Sequence, residues 1–230
     1  MMKNRIFLVL FCLIILVGVG VSVSTKASIN SNSDLGNLDG YSDFTLNLSE
    51  IEGMDIENPY FNEVINSVSE LESQSKLIVK VSKIVKREQV SRATLTTVKV
   101  DEVIKGDLDV DEILIYEPSY FWTYQDDKSQ GYFPTEGYQI MQDGNQYVLF
   151  LQGLKVPEAY RMSDEEKRSY LPISQQYGKF PVESSEWEPQ IVKSDGMIYE
   201  DFQVFELLTK KEKVLQRYLE LKNEVIETYK

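Results

Sequence analysis

The sequence predicts a mainly β fold with flanking helices, a small twisted barrel or sheet of mainly antiparallel strands, and three observations carry that expectation. From Lys76 onward apolar residues recur at every second position, with Leu77, Val79 and Val81 alternating with polar neighbours. Turn signals punctuate the same stretch at Lys105-Gly106-Asp107 and Asp143-Gly144-Asn145. Helical spacing is confined to the two ends of this region. At 230 residues the chain suits a single domain preceded by a tail.

The first element is not part of that fold. Lys3 and Arg5 precede an aliphatic run from Ile6 to Val23, so residues 1–27 are expected to be a signal peptide or an N-terminal membrane anchor. Eighteen residues of helix reach about 27 Å, enough for a thin bilayer. Small residues at Ser22/Ser24 and Thr25/Ala27 offer two cleavage sites, which leaves both outcomes open. Cys12 sits mid-run after Val9-Leu10-Phe11, without the small residues a lipidation site needs. Residues 28–75 hold ten Asp and Glu and no Lys or Arg, and this bias places everything downstream outside the cytoplasm.

Residues 28–57 mix Ser, Asn, Gly and acids with isolated apolar residues and read as an acidic flexible linker, leaving residues 58–230 as the folded domain. Asn58-Pro59 looks like a helix start, and Phe61, Val64, Ile65, Val68 and Leu71 extend it over about 59–73. Two long antiparallel strands follow, joined near Arg87 to Ser91, the second rich in β-branched residues from Arg92 to Ile104. Glu112–Glu117 and Gln146–Gly153 make the third and fourth strands. Ser163-Asp-Glu-Glu166 has the spacing of a capping box for a short helix. Closing strands are expected around Lys179–Val182, Gln190–Val192 and Met197–Tyr199. Phe205, Leu208, Leu215, Leu219 and Ile226 then give an amphipathic helix over 202–229 that closes one end of the barrel, with Val214, Tyr218, Leu221 and Val225 as a second stripe available to a partner helix.

Composition excludes several chemistries. With no His there is no Ser-His-Asp triad, no His-bearing zinc site and no imidazole base, and the only cysteine lies in the apolar run. Without residues 1–27 the chain keeps 21 basic and 37 acidic side chains, a net charge of −16, which repels nucleic acid. No cofactor and no metal are expected.

The motifs SKLIVKVSKIV, VKVDEVIKGDL, ILIYEP and MQDGNQYVLFL, with Gln176-Tyr177-Gly178-Lys179-Phe180 and the terminal helix, resemble exported bacterial OB-like modules related to the netrin and tissue-inhibitor-of-metalloproteinases barrel. The resemblance implies a five-stranded Greek-key barrel outside the cell, in a family whose bacterial members largely lack an assigned activity. It brings no catalytic residues. The metalloproteinase inhibitors reach their target zinc through an N-terminal cysteine, which the exported part of this chain lacks.

Four local features invite chemistry. Ser73-Gln-Ser-Lys76 matches the S-x-x-K of penicillin-recognising enzymes but has no S-D-N or K-T-G companion, and reads as a solvated helix-to-strand turn. Asp107, Asp109 and Asp111 imitate the opening of a calcium loop, yet the sixth position is Glu112 where such a loop turns on Gly. Asp126, Asp127, Glu183, Glu186 and Glu188, the last three around Trp187, supply carboxylates for a hydrolase, although acids are so abundant that proximity is expected by chance. The fourth feature is the segment Tyr116–Tyr138, with eight aromatic residues in 23 positions. Its rings either pack a long loop onto the barrel or recognise a ligand, and Tyr120, Phe121, Trp122, Tyr124, Tyr132 and Phe133 are the candidate ligand-binding residues.

The expectation is an extracytoplasmic, non-catalytic binding module that recognises a protein, peptide or glycan, tethered to the membrane through residues 6–23 unless these are cleaved. The alternative is a cell-surface, carboxylate-dependent hydrolase acting on wall or glycan.

Overall fold

A computed structural model describes residues 33–48, 60–124, 126–182, 190–191 and 196–229. The chain divides into a unit Met1–Ser33, which lies outside the described residues except for Ser33, and a unit Asp34–Lys230. The expected signal or anchor, the helix start at Asn58-Pro59 and the acids around Trp187 therefore fall outside the described residues. Among the described residues no helix is long and apolar enough to cross a membrane.

The strands of the larger unit are, in chain order, β1 (Thr45–Leu46), β2 (Leu77–Val90), β3 (Ala93–Lys105), β4 (Glu112–Glu117), β5 (Ser119–Thr123), β6 (Gln130–Pro134), β7 (Tyr147–Gly153), β8 (Ser169–Pro172), β9 (Lys179–Pro181), β10 (Gln190–Ile191) and β11 (Leu208–Thr209). The helices are α1 (Val68–Gln74), α2 (Asp164–Lys167), α3 (Tyr199–Phe202) and α4 (Glu212–Tyr229). The fold is thus mainly β with a few short helices and one longer terminal helix.

Strand β2 pairs antiparallel with β3, and β3 with β4. β4 runs parallel to β8, β8 antiparallel to β7, and β7 pairs antiparallel with the first half of β2. Alternation sorts the apolar residues of these strands into two cores. Val79, Val81, Val98, Ile113, Ile115, Tyr147, Leu149 and Leu151 share one cluster, whereas Ile78, Val148 and Phe150 join Val68, Leu71, Phe180, Tyr218, Leu221 and Val225 in another, beneath α1 and α4. Because β7 serves both, its sequence is an uninterrupted apolar run.

A second sheet, in the order β1-β6-β5, covers a third core made of Leu35, Phe44, Leu46, Leu48, Phe121, Tyr132, Ile140, Tyr199, Phe202 and Leu208. Residues 34–48 were expected as part of the linker, but Leu35, Phe44, Leu46 and Leu48 are all at most 7% exposed. The apolar residues there are few, yet Phe44, Leu46 and Leu48 share one side of an extended segment, which suffices to dock it.

Four further expectations are corrected. The first helix starts at Val68, nine residues later than the sequence suggested. Ser67 caps it by accepting the Glu70 N–H at 3.1 Å, while Asn62 accepts from the Val64 N–H and its own N–H goes to the Ile173 carbonyl. These local bonds offer residues 62–66 an alternative to the helix. The hairpin β2–β3 turns at Ser91-Arg92, where Ser91 has a positive φ of 56°, so the strand runs through Arg87 to Val90. At the C-terminus the segment 199–209 is a short helix and a short strand, and α4 begins only at Glu212. Its core-facing side is Tyr218, Leu221 and Val225, the stripe assigned to a partner, whereas Leu219 is 40% exposed. Met197–Tyr199 contributes one isolated bridge, Thr45 to Ile198, before the short helix begins.

Candidate ligand-binding face

The aromatic segment folds into a hairpin, and its alternation splits the six candidate rings. Phe121 and Tyr132 face each other across β5 and β6 and are 3% and 0% exposed, inside the third core. They pack and cannot reach a ligand. Tyr120 and Phe133, the adjacent cross-strand pair, point the other way and stack with centroids 5.0 Å apart and an interplanar angle of 8°. Tyr124 meets the same Phe133 ring edge-on at 6.3 Å. Trp122 lies between Tyr120 and Tyr124 on the outward side of β5, and Trp122 and Tyr124 are 45% and 42% exposed. Tyr116 and Tyr138, the remaining rings of the segment, are half-buried and buried, respectively.

The outward face continues across the sheet. Thr45 of β1 is in register with Gly131 of β6, and Gly131 with Trp122 of β5. The rows on either side are tied by backbone bonds, Asn47 N–H to the Tyr132 carbonyl and Tyr124 N–H to the Ser129 carbonyl, both 2.8 Å. Three columns result: Asp43, Thr45 and Asn47, all exposed; Ser129, Gly131 and Phe133; and Tyr124, Trp122 and Tyr120. A groove of about 510 Å³ runs over the polar column, Ser129 and Gly131 to Tyr124, with Lys128 and Gln130 also lining it, and it stops short of Tyr120, Trp122 and Phe133. Gly131 makes the arrangement possible, since a Cβ there would stand 2.7 Å from the Phe133 ring.

Sequence reading missed the polar column because residues 43–48 were assigned to the linker. The signal was present: Asp43, Thr45 and Asn47 alternate with Phe44, Leu46 and Leu48, the period of a half-buried strand.

The other candidates come apart. Ser73 donates to the Glu70 carbonyl at 2.9 Å within α1, which occupies its hydroxyl in a helix end. Asp107 and Asp109 line a groove with Lys76, Arg168 and Tyr170, and the Asp111 carbonyl accepts the Val100 N–H at 2.9 Å. Among the described residues no three His, Cys, Asp or Glu are gathered as a metal requires. Asp127 accepts the Ser129 N–H at 2.9 Å, a bond that holds its carboxyl below the usual range. One acidic neighbourhood went unread in the sequence. Burial and the nearby Glu136 push the Glu63 carboxyl up, while Glu136, itself buried, accepts from the Gln176 amide at 3.3 Å and has the Lys211 ammonium at 3.8 Å.

No family model, curated protein or solved structure matches the chain.

Charge inside the molecule is arranged quite differently from the outer face. Glu117 is fully buried, and its carboxylate accepts from the Thr96 hydroxyl at 2.5 Å, the Tyr138 hydroxyl at 3.0 Å and the Met141 N–H at 2.8 Å. The Lys179 ammonium donates to the Gln139 carbonyl at 2.6 Å and lies 4.7 and 5.1 Å from the ring centres of Tyr138 and Tyr147. Burial pulls its pKa down to about 8, against the pull of Glu117 and Glu206. The Arg87 guanidinium donates to the Met141 carbonyl at 2.7 Å and to Asp143 at 3.0 Å. Each of these charges has partners within the chain, although the buried Arg87 Nε has none and Asp143 is mostly exposed, and together they help to fix the core.

Proposed function

We propose that this protein is an extracytoplasmic, non-catalytic binding module whose ligand meets the outer face of the β1-β6-β5 sheet. The observation that carries the reading is the cluster of Tyr120, Trp122, Tyr124 and Phe133 on a sheet face whose opposite side already supplies the core. Large rings held in water by a rigid, paired backbone suit recognition, because they offer contact area with little conformational entropy to lose. The charge pattern around residues 3–75 supports an outside location, with residues 6–23 as membrane tether or cleaved signal. A net −16 over residues 28–230 argues against a nucleic-acid partner.

The scaffold reading is an OB-like barrel of the netrin and tissue-inhibitor-of-metalloproteinases class. The pairing order β2-β3-β4-β8-β7, the return of β7 to β2 and the parallel β4–β8 pair support it. On this reading the aromatic hairpin is an insertion between the third and fourth barrel strands.

Two measurements test the proposal. Protease added to intact cells is expected to digest residues 34–230, and full protection of a membrane-associated chain contradicts the location. Immobilised full chain, probed with defined panels of peptides and oligosaccharides, is expected to retain a ligand that the W122A/Y124A variant releases. Undiminished binding by a folded variant contradicts the assignment of the face.

A further inference from the structure

We propose that the ligand of this face is a neutral glycan, its sugar rings lying on the Tyr120-Trp122-Tyr124 column and its hydroxyls bonded by the column Asp43, Thr45 and Asn47. The proposal rests on the reading of the face as a binding surface and adds the ligand class.

The first support is the pairing of two unlike columns. Neighbouring strands lie about 4.8 Å apart and outward residues along a strand about 6.8 Å apart. The two columns flank β6, about 9.6 Å apart, and in the row Thr45–Gly131–Trp122 only a glycine stands between them, so a ligand lying across β6 meets short polar groups on one side and rings on the other. A pyranose has the matching anatomy, with an apolar C–H face for stacking and a rim of hydroxyls that both donate and accept. The polar column offers both functions: Asp43 accepts, whereas Thr45 and Asn47 donate and accept.

Charge gives the second support. The groove holds one acid, Asp43, and one base, Lys128, so its lining is balanced while the chain as a whole is strongly acidic. A polyanionic wall polymer is repelled by that field, and a neutral polysaccharide is not.

The third support comes from the sheet edges and separates glycan from peptide. An extended peptide binds a sheet by adding a strand at a free edge. Beside β1 the edge is taken, since Leu46 N–H donates to the Met197 carbonyl at 2.7 Å and the Phe44 carbonyl accepts the Tyr199 N–H at 2.8 Å. Along β5 the Phe121 N–H is held by the Gln89 side chain at 2.9 Å and the Ser119 carbonyl by the Thr94 hydroxyl at 2.8 Å. These bonds occupy the edges as far as Phe121 and leave only the short end at Thr123 for strand addition, so the exposed face is the larger surface offered to a ligand.

The experiment is calorimetric titration of the full chain with neutral β-linked gluco- and N-acetylglucosamine oligomers, alongside a charged-wall-polymer fragment and a panel of peptides. Wild type is expected to bind a neutral oligomer, with W122A/Y124A and D43A/N47A each weakening it at least about tenfold. Thermal melts check that both variants stay folded, which the exposure of all four residues favours. No binding to any neutral oligomer at millimolar concentration overturns the proposal. Tight binding of a peptide that W122A/Y124A abolishes and D43A/N47A leaves intact also overturns it, while leaving the face as a binding surface.

Discussion

Phe121 and Trp122 are neighbours in sequence, both aromatic, and they occupy opposite sides of one three-stranded sheet. On the inner side Phe121 sits 4.8 Å from Tyr132 and 5.4 Å from Phe44, ring against ring, with Tyr199 and Phe202 closing the cluster. On the outer side Tyr120 stacks on Phe133, Tyr124 meets the same ring edge-on, and Trp122 and Tyr124 are 45% and 42% exposed. Aromatic content marks the hairpin as unusual, but only the alternation says which ring is structural and which is available. Large apolar side chains that a fold leaves in water after its core is filled need a reason beyond stability.

The contrast breaks if the inner rings prove dispensable. Phe121→Ala is expected to cost about 3–5 kcal/mol, because the ring leaves a cavity among fixed neighbours, and a chemical-denaturation curve measures it. A loss under about 1 kcal/mol would mean that the inner side is not a core.

A second test uses the buried ammonium under the main sheet. Lys179 has a folded pKa of about 8, below its ordinary 10.5, so folding disfavours the protonated form. Its contribution is fully present above the unfolded value and is lost as pH falls through about 8. Stability of the wild type relative to Lys179→Met is therefore expected to rise by about 2 kcal/mol between pH 7 and pH 9.5. Burial raises the hydroxyl pKa of Tyr147 and Tyr199 to about 12, so their opposing loss begins only near pH 10. A flat difference across the range would show that water reaches Lys179.

Gly131→Ala sharpens the comparison from the outer side. Its Cβ would press on the far edge of the Phe133 ring, which can swing, so the expected cost is only about 1–2 kcal/mol. Displacing Phe133 from Tyr120 is expected to weaken ligand binding nonetheless. The smallest effect on stability belongs to Trp122→Ala, about 1 kcal/mol, or a melting shift of roughly 2–4 °C.

Much of the main sheet was legible in the sequence because its signals are local. Gly106 and Gly144 adopt the positive φ their turns need, and Ser163 forms the anticipated capping box with Glu166. The segment 60–66 was misread because Val64 and Ile65 fit a helical spacing, although Val64 ends 69% exposed. The two stripes of α4 were exchanged since both are apolar, and only tertiary packing selects Tyr218, Leu221 and Val225. Of the candidate site, the rings were visible by composition, whereas their division between two faces waited on the strand pairing that brings Thr45, Gly131 and Trp122 into one row.

The availability of the outer face can be read from Trp122 itself. The chain has two tryptophans, so Trp187→Phe leaves Trp122 as the only reporter. In that variant of the full chain, acrylamide is expected to quench Trp122 readily, and saturation with a bound neutral oligosaccharide is expected to shift its emission to the blue and protect it. Emission already blue-shifted and resistant to quencher in the free chain, or unchanged by a ligand that demonstrably binds, would contradict the account.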